Sequence, residues 1–203
     1  YPMKRSLSLI LTLLLLLPVA LAEPEEFTLR DGVTWSSTPE EVEAVVGDLS
    51  WSEKMSGGLG GLVQAYSNVS FGNCSGEFQA IFVGDYNQLV SMGYELADFP
   101  ENQTLEQAVA DLKAGLDAKY APVEFDLPAL TELFSAYARL LTDDSPSFSE
   151  ADISGNFYRW TAFDGTEIYL TDGVDDRWQI IYFNVPGIEA LLATIDAPNT
   201  NGL

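Results

Sequence analysis

The sequence predicts an α+β fold: antiparallel β-sheet meanders with flanking helices. Three observations carry this. Two helix starts are spelled out as capping boxes, at Thr38-Pro39-Glu40-Glu41 and Thr104-Leu105-Glu106-Gln107. Alternating, strand-like segments follow one another across short turns at 62–96 and again at 157–185, the pattern of a meander rather than of βαβ units. Apolar residues make up 47% of the chain, enough for a sizeable core, so the acidity is not that of a disordered tail.

The elements follow in order. Lys4 and Arg5 precede an apolar run from Leu7 to Leu17, Pro18 ends it, and Ala20-Leu21-Ala22 forms an A-x-A cleavage site before Glu23. The run is short of the roughly 20 residues a membrane-spanning helix needs. Residues 1–22 are therefore read as a signal peptide. Residues 23–203 are read as a single α+β domain, secreted or extracytoplasmic, with no membrane span in the mature chain. Phe27 to Arg30 is expected to form a first short strand before an Asp31-Gly32 turn. Thr38 caps a helix whose stripe is Val42, Val45 and Val46, and Gly47 stops it. Ser56 to Gly61 reads as a plain glycine-rich connector; no Lys-Ser/Thr follows the glycines, so it is not a phosphate loop. Strands are expected at 62–71, 77–83 and 89–96. The Thr104 helix carries Leu105, Val109, Leu112, Leu116 and Tyr120 at helical spacing and ends at Pro122. A third helix, capped by Asp126, spans about 128–141. After a polar loop, strands at 157–163, 166–171 and 177–185 follow. Pro186-Gly187 breaks the last one, and 188–195 forms a short terminal helix.

Composition closes several chemistries. Without histidine there is no Ser-His-Asp triad, no Cys-His pair and no imidazole zinc site. A single cysteine, Cys74, excludes an intramolecular disulfide and a thiolate cluster; it is either a small buried side chain or a thiol exposed at a turn tip. With 31 acidic and 9 basic residues, a net charge of −22, the chain lacks the clustered cations that nucleic acid or anionic lipid would require. Solubility of an exported protein is the simplest meaning of that charge. Asp172, Asp175 and Asp176, like Asp143-Asp144, fall in turns without EF-hand spacing and read as solvated rather than calcium-binding. No cofactor or metal is expected.

The segment Trp35-Ser36-Ser37-Thr38-Pro39-Glu40-Glu41-Val42 through Gly47 resembles the W-G-x-[ST]-x-x-E-V-x-x-x-x-G start of the β-lactamase-inhibitor-like domains, a group that includes small envelope-assembly lipoproteins. Lys119-Tyr120-Ala121-Pro122 is similar to the K-Y-G-x-P ending of their next helix. Ser36 and Ala121 stand where the motifs have glycine, and Pro122 comes one residue early. The resemblance spans roughly 27–122, so the helix at 128–141 and the hairpin region at 157–185 are additional. It implies a bacterial scaffold that binds other proteins, with an antiparallel sheet beside helices and no catalytic residue to carry over. Trp35, Thr38, Glu41 and Gly47 then pack, cap and turn.

A two-residue Asp164-Gly165 turn would place Trp160 opposite Tyr169 and Tyr158 opposite Thr171. Tyr158, Trp160 and Tyr169 then share a face, which Trp178 can join. That face is either core, the reading its aromatics favour, or an exposed anchor surface for a partner. The expected function is a non-enzymatic, exported binding module that engages another protein or an envelope component through a sheet face. The alternative is an extracellular carboxylate-dependent hydrolase, for which no acid pair is marked out.

Overall fold

The computed structural model describes residues 27–29, 32–86, 88–143, 148–149, 151, 153–174 and 177–196. Residues 1–22, read from the sequence as a signal peptide, the acidic stretch after them, and Arg30, Asp31, Asp144, Asp175 and Asp176 lie outside the described residues. The fold is α+β. Its centre is one eight-stranded antiparallel sheet, in the order β1-β2-β3-β4-β8-β7-β6-β5. The strands are β1 (Trp51–Met55), β2 (Gly61–Phe71), β3 (Cys74–Val83), β4 (Gln88–Asp98), β5 (Ala121–Val123), β6 (Phe157–Thr161), β7 (Glu167–Val174) and β8 (Arg177–Phe183). The helices are α1 (Pro39–Val46), α2 (Leu105–Lys119), α3 (Leu127–Leu141) and α4 (Val185–Asp196). Among the described residues no helix is long and apolar enough to cross a membrane.

The strand order encodes a duplication. A helix followed by a four-stranded meander occurs first as α1-β1-β2-β3-β4 and again as α2-β5-β6-β7-β8, and the two halves meet where β4 pairs with β8. Helix α3 is inserted between β5 and β6, and α4 follows β8. Each leading helix starts on a complete capping box. Thr38 Oγ1 accepts from the Glu41 N–H at 3.3 Å while Glu41 accepts from the Thr38 N–H at 2.9 Å, and Thr104 and Gln107 repeat the arrangement.

Strand alternation sends side chains to two covered faces. Phe78, Met92, Tyr94, Ile168, Ile180 and Trp160 point to the face under α1, α2 and the Phe27–Trp35 segment. Ile81, Val90, Tyr169, Ile181 and Phe183 point to the face under α3 and α4. Each helix buries only its apolar stripe: Val109 and Leu116 on α2, Leu130, Leu133 and Leu141 on α3.

Four sequence expectations change. Phe27 to Arg30 is not a sheet strand: Thr28 makes only an isolated bridge to Thr34, and Phe27 stacks on Trp35 with ring centroids 5.7 Å apart. Trp51–Met55 is an edge strand, and its exposed, polar sequence gave no hydrophobic signal. Pro122, read as a helix stop, also lies in the edge strand β5, where a missing N–H can face away from the ladder. Pro186-Gly187 opens α4 rather than merely breaking β8: Asn184 Oδ1 accepts from the Gly187 N–H at 3.0 Å, and proline fits a first helical turn.

The β6–β7 hairpin differs in register by one residue. Trp160 pairs with Ile168, Arg159 with Tyr169 and Tyr158 with Leu170. The loop has three residues, Phe163-Asp164-Gly165. The Gly165 N–H donates to Ala162 O at 3.1 Å, the Ala162 N–H to Thr166 O at 2.9 Å, and Gly165 adopts φ +85°. This is a turn closed by a left-handed glycine, the usual build of a three-residue hairpin loop. Because side chains alternate with period two, the one-residue shift moves Tyr169 to the face opposite Trp160.

Candidate functional site

The four aromatics singled out in the sequence therefore do not form one surface. Trp160 and Tyr169 are each 1% exposed and lie on opposite sides of the sheet. Tyr158, at 37% exposure, and Trp178 do come together, with near-parallel rings 6.4 Å apart. They belong to a patch at the edge of α2. Lys113 Nζ sits 5.5 Å from the Tyr158 ring centre and 5.9 Å from that of Trp160. Asp117 accepts from Lys113 at 2.8 Å and from the Trp160 indole N–H at 2.9 Å. Those two hydrogen bonds hold the Asp117 carboxyl below the ordinary carboxylate range.

On the opposite face, Arg159 is a half-buried partner of Glu167. Its Nη2 donates to Glu167 at 2.5 Å, and the Tyr169 hydroxyl donates to the other Glu167 oxygen. Burial, reinforced by Glu167, pushes the Tyr169 phenol well above its usual value. The polar atoms of this cluster largely satisfy one another beneath the start of α3.

The same face carries a concavity. Helices α3 and α4 leave part of β3, β4 and β8 uncovered, and a cleft of about 660 Å³ opens there. Its floor is made by Gln79, Ser91, Gly93, Glu95 and Gln179. Phe134, Tyr137, Leu141 and Thr142 of α3 form one wall, and Phe148, Ile153 and Phe157 form another. Gln79, Gly93 and Ile181 lie side by side across three strands, so the missing side chain at 93 deepens the floor. The Tyr137 hydroxyl is buried with no hydrogen-bond partner among the described residues. Burial pushes its pKa up, and the neighbouring Ser91 side chain, which does not reach it with normal hydrogen-bond geometry, opposes that. An unpaired buried hydroxyl costs about 1–3 kcal/mol, so this wall carries unused hydrogen-bonding capacity.

The glycine-rich segment holds the far wall in place. The Leu59 N–H donates to Leu140 O at 2.9 Å and the Gly58 N–H to Asp143 at 2.9 Å, so 56–61 caps the C-terminal turn of α3 instead of merely connecting strands. Asp172, the described member of the other acidic turn, lies within β7 and accepts two hydrogen bonds from Asn156. Cys74 is buried, and burial together with Asp111 raises its pKa, which favours the thiol over the thiolate.

A cleft of this size, largely apolar with a few polar groups on its floor, has the dimensions and chemistry of a small-molecule site. Among the described residues, the Glu95 carboxylate on the floor is paired with Arg177. No protein-family model, curated protein or solved structure matches this chain.

Proposed function

We propose that the protein is an exported, non-enzymatic binding module for an envelope component, and that it binds through the uncovered part of the β3–β4–β8 face. The observation that carries this reading is the cleft. Its floor is set by three paired strands and one wall by α3, with Phe148, Ile153 and Phe157 facing them, so most of the site is built on regular elements. The net charge of −22, the A-x-A site before Glu23 and the resemblance of Trp35–Gly47 to a binding scaffold support the same reading. The hydrolase alternative needs an acid held protonated beside a second carboxylate. Asp117, the described carboxylate with a clearly shifted pKa, is shifted the opposite way and serves Trp160.

The test compares two variants of the protein in binding to an envelope extract. Gln179→Trp fills the cleft from its floor, and the double variant Tyr158→Ala, Trp178→Ala strips the exposed aromatic patch. The expected outcome is that a component retained by the wild type is lost only by Gln179→Trp. Loss by the aromatic variant alone would move the binding surface to the opposite face and overturn the assignment of the cleft. Trp160 and Tyr169 are unsuitable for this purpose, because truncating either empties the core.

A further inference from the structure

The charge distribution around the cleft defines the class of guest, on the reading that the cleft is the binding site. Glu95 is the only ionised side chain among the described lining residues. Glu77 stands directly opposite it on β3, just beyond the lining residues, and accepts from Gln79 Nε2 at 2.6 Å, so a second carboxylate lies beside this end of the floor. Every described lysine and arginine is engaged away from the cleft or at its rim. Lys54 lies over Tyr86 and Lys119 over Tyr120, Lys113 binds Asp117, Arg139 binds Asp196, and Arg159 binds Glu167. Arg177 alone approaches, pairing with Glu95 from a side chain that is 64% exposed. Only the arginine end of this pair is exposed, Glu95 being 21% exposed, so a cationic head must displace Arg177 to reach the carboxylate. The remaining floor is neutral and polar at Gln79, Ser91 and Gln179, and the walls are aromatic and aliphatic.

We infer that the cleft takes an amphiphile with one apolar chain and a cationic head, the chain lying between α3 and Phe157 and the head meeting Glu95 and Glu77. The volume suits such a guest, since small-molecule sites run to about 300–1,000 Å³. An anionic head would bring a third negative charge beside two carboxylates with no free cation to meet it. A neutral head would gain hydrogen bonds from Gln79 or Gln179 but no ionic attraction.

Three probes with the same chain, decylammonium, decanol and decanoate, separate these cases when titrated calorimetrically into the purified protein at pH 7. The expected order is decylammonium tightest, decanol weaker, and decanoate weaker than decylammonium by about tenfold or more, the scale of one partly screened charge contact. Glu95→Gln should bring decylammonium close to decanol while leaving decanol unchanged. Glu106→Gln, a change on the exposed first turn of α2, should alter nothing, which separates the local carboxylate from the general negative field of the chain. Gln179→Trp should weaken all three probes. Thermal melts confirm that each variant is folded. Decanoate binding as tightly as decylammonium, or Glu95→Gln behaving like Glu106→Gln, would overturn the cationic-head inference while leaving the cleft as a site. Failure of all three probes to bind would overturn both.

Discussion

Gly58 offers a prediction with its own internal control. It adopts φ +58°, and a Cβ built there would stand 2.3 Å from the Leu140 carbonyl oxygen and 2.7 Å from its carbon. Gly84 has almost the same backbone, φ +61°, with nothing within 4 Å of a built Cβ. Alanine at either position pays the left-handed penalty of about 1–2 kcal/mol. Only Gly58→Ala must also push the last turn of α3 away, and overpacking of this kind adds about 1–3 kcal/mol. Gly84→Ala should therefore cost about 1 kcal/mol and Gly58→Ala about 3 kcal/mol in urea denaturation. Thermal midpoints should separate by several degrees, on a scale of roughly 2–4 °C per kcal/mol for a chain of this size. The displaced turn carries Leu141 and Thr142, so Gly58→Ala should also weaken decylammonium binding while Gly84→Ala leaves it intact. Equal destabilisation by the two variants would refute the argument that the glycine-rich loop is packed against the end of α3.

Two further outcomes rest on the other face. Trp160→Phe removes the indole N–H that Asp117 accepts and should lower stability by about 1–2 kcal/mol in the same denaturation assay, with cleft binding unchanged; a neutral result would deny that this hydrogen bond contributes. Asp117 is held below its ordinary value of 3.8, so folding favours its charged form. Its contribution is complete above that value and is lost as pH falls through the lower, folded-state value. Stability profiles of wild type and Asp117→Asn should run parallel above about pH 5 and converge in acid, and profiles that stay parallel throughout would contradict the assignment.

Helix starts were legible because their determinants are local. Thr38, Thr104 and Asp126 each cap an N–H group three residues on, within one stretch of sequence. The hairpin was legible as a hairpin but not in register. Asp164-Gly165 is compatible with a two-residue loop, and what distinguishes the observed turn includes a contact that no local pattern contains: Asp164 accepts from the Thr166 N–H at 3.0 Å with one oxygen and from the Phe27 N–H at 3.2 Å with the other. A residue 137 positions away thus helps fix the loop. Edge strands β1 and β5 escaped notice because an edge buries little and needs no apolar alternation.

The site was hidden for a related reason. A search for exposed aromatics assumes that one sheet face is solvated, as antiparallel sheets commonly allow. Here the inserted α3 and the appended α4 cover most of the second face, so Trp160 on one face and Tyr169 on the other both became core. The unfilled space is then found where coverage stops, above Gln79, Ser91, Gly93, Glu95 and Gln179. In sequence these are ordinary outward positions, alternating with the buried Phe78, Ala80, Met92, Tyr94 and Ile180. Nothing local distinguishes a polar residue facing bulk water from one lining a cleft, because the difference lies in a helix inserted some 30 to 60 residues downstream of β3 and β4. The glycine at 93 is the exception that carries a signal. A glycine in mid-strand weakens the strand and forfeits a packed side chain, and between Met92 and Tyr94 it marks a close approach of backbone, since a Cβ there would stand 3.1 Å from the Ile180 carbonyl oxygen.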